Sequence, residues 1–306
     1  VRRLIQRKMA AAHSGTLRDH NNELETTMLP SIKSVFVAFT EEGRSEHSSA
    51  LAYAMSLSQQ AGAHLTLQAA SMRYGVPGSL VGAFGAELIN RENRRISELA
   101  DAFADKARGR ADLAGVTCMI ETPSLIYANL CDRLLAHARV HDVSILDLEK
   151  DPVQRDRGLI EAALFDSGRP VVIVPPGCEQ FSAKRILIAW DGGTSAARTV
   201  GDAMPFLREA DEVEILTVSG EKDLSSSLGG TDLAPHLARH GIKVTVRNVA
   251  LTQPDVASEI RQAAGAFGAD LVVCGAYKHS RLREWLLGGV TQSLLRDSTL
   301  PMLMSH

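Results

Sequence analysis

The chain contains the same pattern twice. "VFVAFTEEGRSEHSSALAYAMSL" at 35–57 and "ILIAWDGGTSAARTVGDAMPFL" at 186–207 each pass from an apolar run, through a small polar or glycine-rich turn, into a helical pattern. Further on, "DVSILDL" (142–148) matches "DLVVCGA" (270–276), and "GLIEAALFDSGRPVVIV" (158–174) matches "GVTQSLLRDSTLPMLMS" (289–305). In the last pair Gly158, Asp166, Ser167 and Pro170 correspond to Gly289, Asp297, Ser298 and Pro301, all at an offset of 131. This is a tandem duplication, so one fold has to serve both copies. The copies meet near "PPGCEQFSA" (175–183), where two prolines and a glycine punctuate the chain.

Each copy reads strand, helix, strand, helix, strand, helix, strand, short helix, strand. In the second copy the strands fall near 185–190, 212–218, 242–248, 270–275 and 301–305, short and apolar as expected of strands covered on both faces. "LARHGIKVTVRNV" places a helix-stopping glycine, Gly241, just before a strand. "TSAARTVGDAMPFL" puts Ala197, Val200, Ala203, Met204 and Leu207 on one helical stripe. Alternating strands and helices imply two tandem, open, parallel five-stranded sheets of order 3-2-1-4-5 with helices on both faces. The expected layout is a tail over 1–30, a first α/β domain over 31–176 and a second over 184–305. The first copy carries an insertion-like loop, "SMRYGVPGSLVGAFG" (71–85), before its second helix.

A chain of 306 residues is comfortable for two such domains, and with 45% hydrophobic and 23% charged residues it needs no disulfide or metal staple. A formal net charge of −3 gives no electrostatic case for nucleic acid or an anionic membrane. Apolar runs stay short of the roughly 18 residues of a membrane span. The four cysteines, Cys118, Cys131, Cys178 and Cys274, form no CxxC pair, and the strand-like surroundings of Cys118 and Cys274 read as small buried apolar sites. A reduced, cytoplasmic compartment fits them. Residues 1–20 carry five basic residues before the first acid, Asp19, without the apolar region of a secretory signal. They read as a disordered tail or an overlong start, with Met28 an alternative beginning and a membrane-surface helix the minor alternative.

In open parallel sheets ligands bind beyond the carboxyl ends of the strands, where the strand order reverses. For order 3-2-1-4-5 that crevice is flanked by the turns after the first and fourth strands. In the second copy those turns are "WDGGTS" (190–195) and "GAYKHSRLREWLLGGVT" (275–291), both glycine-rich, the latter leading into a helix whose first amides are free to hold an anion.

On these residues the second copy resembles a universal stress protein domain, and the whole chain resembles the tandem form of that family. The resemblance covers 184–305 well and 31–176 more loosely. Nucleotide-binding members carry Gly, two residues, Gly, nine residues, Gly, then Ser or Thr, before the last short helix. Gly275 and Gly288 stand at the first and third glycine positions; Lys278 occupies the second, and Gly289 replaces the Ser or Thr. Asp191, ending the first strand, matches the acidic residue that meets the adenosine end of the nucleotide in the family. The resemblance thus implies a site of Asp191, Gly192, Gly193, Gly275, Lys278, Gly288 and Gly289, with ATP or another adenine nucleotide as cofactor. The departures cut both ways. Lys278 removes backbone freedom yet adds a cation beside Arg281 and Arg283, whereas Gly289 lacks the hydroxyl donor.

In the first copy the corresponding loop, "DLEKDPVQRDRG", is three residues shorter and keeps only Gly158 of the glycines. Thr40 replaces Asp191, and Glu149 and Asp151 would face phosphate with negative charge. The first domain therefore reads as structural, its sheet pairing with the second copy's so that one chain is equivalent to the family's dimer. A homodimer of chains stays open as a further partner.

Other chemistry is weaker. His137 and His141 lie one helical turn apart, a metal-binding spacing, but no third ligand is evident and a helix end favours histidine by its dipole. "DGGTS" (191–195) distantly resembles the loop of substrate-adenylating enzymes, with its aspartate misplaced. Trp190 and Trp285 flank the crevice, with packing as the default and base stacking as the alternative. The leading expectation is a noncatalytic universal stress module binding an adenine nucleotide in its second domain. The rivals are a stress-related adaptor without a nucleotide site and, more weakly, a nucleotidyl hydrolase or transferase.

Overall fold

The computed structural model describes residues 29–40, 48–75, 83–150, 155–220, 230–277 and 289–306. The first half runs β1 (Ser34–Thr40), α1 (Ser49–Ala61), β2 (His64–Met72), α2 (Ala83–Leu113), β3 (Cys118–Glu121), the two-residue β4 (Ser124–Leu125), α3 (Tyr127–Val140), β5 (Val143–Asp147), α4 (Arg155–Asp166) and β6 (Val171–Val174). The second runs β7 (Arg185–Ala189), α5 (Thr194–Leu207), β8 (Glu212–Ser219), α6 (Gly230–Arg239), β9 (Val244–Ala250), α7 (Val256–Phe267), β10 (Leu271–Gly275), α8 (Gly289–Asp297) and β11 (Met302–Ser305). The element order expected of each copy is present in both.

Within each half the strands are parallel in the order 3-2-1-4-5, with β4 attached to β2. The expectation of two separate sheets is corrected in one respect. The last strand of each half pairs antiparallel with the other, Met302 opposite Ile173, Leu303 opposite Val172 and Met304 opposite Val171. Strands β6 and β11 are apolar and fully buried, so an unpaired edge there would leave backbone groups unsatisfied in the core; mutual pairing removes both edges. Val172 and Leu303 are equivalents at the 131-residue offset and face each other, as a pseudo-two-fold axis requires.

Strand alternation distributes the core over two faces. Val35, Val37 and Phe39 of β1 point toward α1, α2, α5 and α6, while Phe36 and Ala38 point toward α3, α4, α7 and α8. Both clusters run through both halves. The connection between them is itself anchored: Phe181 packs edge-on against Tyr53 (centroids 5.4 Å) and tilted against Phe206 (6.0 Å). Helix ends follow their capping residues. Ser48 accepts from Leu51 N at α1, Asp255 accepts from Ser258 N at α7, and Gly62 and Gly268 close those helices in the left-handed conformation.

The stripe expected on α5 is rotated by about one residue. Ala196, Val200, Ala203, Phe206 and Leu207 are buried, whereas Ala197 is exposed and Met204 only half-buried. Thr199 can join the buried face because its hydroxyl donates to Ser195 O and Ser305 O. The cysteines are all free; Cys274 is buried as expected, but Cys118 on the edge strand β3 is only half-buried. Among the described residues no helix is long and apolar enough to cross a membrane. The expectations for residues 1–28, for 76–82 of the 71–85 loop, and for Asp151, Lys278, Arg281, Arg283, Trp285 and Gly288 lie outside the described residues.

Candidate functional site

The sheet's order reverses between β7 and β10, which are hydrogen-bonded parallel neighbours. Strand β7 ends at Ala189, and Trp190-Asp191-Gly192-Gly193 turns the chain into α5. Gly192 has φ 71°, a left-handed conformation that a side chain would strain. Gly193 is the N-cap of α5, and its amide donates to Asp191 Oδ1 at 2.9 Å, fixing the carboxylate over the turn.

Strand β10 ends at Gly275 for a packing reason. A Cβ there would lie 2.7 Å from Ala196 N and 2.9 Å from Ser195 C, so β10 rests directly on the backbone of the first turn of α5. Two residues on, Tyr277 N donates to Thr291 Oγ1 of α8 at 3.2 Å, and the Tyr277 hydroxyl donates to Asp191, 2.6 Å from each carboxylate oxygen. A Cβ on Gly193 would meet that hydroxyl at 2.5 Å; the glycine makes room for it. Burial, followed by the hydrogen bond and charge of Asp191, raises the Tyr277 phenol well above the ordinary tyrosine range. Burial alone pushes the neighbouring Cys274 thiol up to about 12.

Beside this contact opens a pocket of about 80 Å³, several times what one water needs. Its walls are apolar: Leu216 and Val218 of β8, Ile260 of α7, Leu294 of α8, with Trp190 and Tyr277 at the sides. Asp191 is the charged residue among those lining it. Such a cavity accepts a flat, mostly apolar group that presents hydrogen-bond donors to one carboxylate.

Among the described residues, side chains occupy the corresponding crevice of the first half. Strand registers make Thr40 the equivalent of Asp191 and Asp147 the equivalent of Gly275. The Thr40 hydroxyl donates to Asp156 of α4. The Asp147 carboxylate accepts from Ala50 N at 2.9 Å and from the Ser48 hydroxyl at 2.6 Å, satisfying the first turn of α1. Arg157, only 2% exposed, donates through Nη1 to the Glu149 carbonyl (3.1 Å) and through Nε to Glu161 (3.2 Å). A pocket of about 10 Å³ lies beside Asp147 and Asp156, lined otherwise by apolar residues such as Leu146 and Ile160.

The structure therefore brings Asp191, Gly192, Gly193 and Gly275 together at one strand-end crevice. Gly289 opens α8, is exposed, and would have nothing within 4 Å of an added Cβ. Lys278 and Gly288 lie outside the described residues. Tyr277 was missed, although an aromatic residue directly beyond the strand-end glycine was the available signal. The His137/His141 pair is engaged otherwise. His137 Nε2 lies 3.0 Å from Glu121 Oε2, His141 bonds to His137 O (2.7 Å) and Thr66 Oγ1 (2.9 Å), and the rings stand 5.9 Å apart. Among the described residues no three His, Cys, Asp or Glu side chains are grouped to hold a metal.

Comparison with known proteins matches residues 182–306 to the model of the Universal stress protein family. A universal stress protein from Archaeoglobus fulgidus DSM 4304 superposes with a TM-score of 0.63 at 16% identity, over 88% of this chain and 97% of its own. A functionally unknown protein from Pseudomonas aeruginosa PAO1 superposes with a TM-score of 0.56 at 14% identity, over 92% of this chain and 94% of its own. These likenesses extend the shared fold across both halves. No curated protein matches the chain significantly.

Proposed function

We propose that this chain, whose residues 182–306 match the Universal stress protein family model, is a noncatalytic binding module for one adenine nucleotide, held in the crevice of its second half. The observation that carries this reading is the pocket itself: apolar walls around a single carboxylate, at the strand-order reversal, in the half that retains the glycine turns. The residues fit a nucleoside end. The base lies against Trp190, Leu216 and Ile260, and Asp191 accepts from the ribose hydroxyls. Gly192, Gly193 and Gly275 keep the turn low enough for that approach. The phosphates fall to Lys278, Gly288 and the amide of Gly289 at the start of α8.

The first half is structural in this reading and takes the place of a second copy. Its last strand already covers the edge that a single domain would offer a partner, so a homodimer of chains has to use other surfaces. One observation favours the adaptor alternative: among the described residues the exposed large apolar side chains, Leu113 and Val140 foremost, all lie between 74 and 140 in the first half.

Native mass spectrometry in the presence of ATP tests the reading. The expected result is one intact ATP per chain, with Asp191→Ala weakening the complex by about tenfold or more. No adduct, or an adduct indifferent to Asp191→Ala, overturns it in favour of the adaptor. ATP recovered as products, at a rate lost in Asp191→Ala, would instead mark an enzyme.

A further inference from the structure

At the mouth of the crevice Tyr277 already makes the contact that a nucleoside would have to make. Its hydroxyl is 2.6 Å from Asp191 Oδ1 and 2.6 Å from Oδ2, so one phenolic proton is shared across both carboxylate oxygens. We propose that Tyr277 is a resident competitor for Asp191: its hydroxyl stands where a ligand hydroxyl would go, and a nucleotide enters by displacing it. This rests on the reading that the crevice takes a nucleotide.

Three features of the site support a displaceable contact over a structural one. The glycine at 193 leaves room for the phenol oxygen, which an alanine Cβ would approach to 2.5 Å. The tyrosine ring lines the pocket of about 80 Å³ that the ligand would enter, so releasing the hydroxyl does not require opening the core. Asp191 keeps another contact when Tyr277 leaves, because Gly193 N also donates to Oδ1 at 2.9 Å. The first half provides the contrast. There the Thr40 hydroxyl donates to Asp156, and the pocket beside Asp156 is only about 10 Å³.

Displacement lowers the apparent affinity by the strength of the tyrosine–carboxylate bond, as any competing bound state does. It also selects: a ligand without a donor for Asp191 leaves Tyr277 in place and half the entrance closed.

Calorimetric titration of the full chain with ATP, comparing the parent with Tyr277→Phe, tests this. Phenylalanine keeps the ring and deletes the hydroxyl, and thermal midpoints of both proteins verify that each is folded. The expected result is ATP binding about tenfold tighter in Tyr277→Phe, the worth of one hydrogen bond to a charged acceptor. Binding to Tyr277→Phe alone, with the parent silent, supports the proposal still more strongly. Equal or weaker binding in Tyr277→Phe overturns the competitor and leaves the nucleotide reading standing. If neither protein binds ATP, both fall.

Discussion

The two crevices of this chain occupy equivalent places in one fold and have opposite interiors. In the second half β10 ends in glycine, its backbone lies on α5, and about 80 Å³ remains open beside Asp191. In the first half β5 ends in Asp147, whose carboxylate caps α1, Thr40 donates to Asp156 of α4, and among the described residues a pocket of about 10 Å³ lies beside the two carboxylates. The first half thus satisfies with its own side chains the groups that a strand-end site offers to a ligand: a helix N-terminus and a hydroxyl at the end of the first strand. A duplicated binding fold can lose its site without losing stability when internal carboxylates and a guanidinium take over the hydrogen bonding.

Exchanging the residues that set this difference should give the largest effects. Gly275→Asp puts a side chain where even a Cβ would be 2.7 Å from the α5 backbone, so β10 or α5 must shift. We expect a loss of about 3 kcal/mol or more, read as a midpoint drop of several degrees on thermal unfolding. A change within a few tenths of a kcal/mol would mean that the close approach does not govern this position. The reciprocal change, Asp147→Ala, strips the buried Ala50 amide and the half-buried Ser48 hydroxyl of an acceptor. It should cost about 1–3 kcal/mol and should leave ATP binding to the second half unchanged.

The smallest effect is a pH dependence confined to the first half. His141 is 7% exposed; burial holds its imidazole below the ordinary histidine range, against the hydrogen bond to the His137 carbonyl, which raises it. The fold therefore contains the neutral ring, whereas the unfolded chain binds a proton near pH ~6.5. Its contribution to stability is full above that value and is lost as pH falls below it toward the folded pKa. The thermal midpoint should drop between about pH 7.5 and about pH 5.5, and should drop less in His141→Gln. Equal drops in the two proteins would assign the acid sensitivity to other groups.

Which parts were legible in the sequence follows from range. The duplication, the element order and the strand order within each half were legible because apolar runs, glycines and a repeat offset are local signals. Strand β7 was expected at 185–190 and occupies Arg185–Ala189. Strand β9 starts two residues later than expected because Ile242 N bonds back to Leu237 O, closing α6 before the strand begins. Pairing of the two halves was expected only through the resemblance to the tandem family form, and no local signal marks the antiparallel β6–β11 contact that makes one sheet of them. Gly275 was recognised as part of a phosphate loop, but its backbone approach to Ser195 and Ala196 comes from tertiary packing. Tyr277–Asp191 spans 86 residues and leaves no periodic trace. Asp147 and Arg157 read as ordinary charged residues because nothing local marks a carboxylate aimed at a helix start or a guanidinium 2% exposed.

The most direct test of the contrast is the stoichiometry of ATP binding by isothermal titration calorimetry on the full chain. One site per chain, weakened about tenfold or more by Asp191→Ala and untouched by Thr40→Ala or Asp147→Ala, is the predicted result. Two equivalent sites, or a single site that survives Asp191→Ala and disappears with the first-half substitutions, would contradict it.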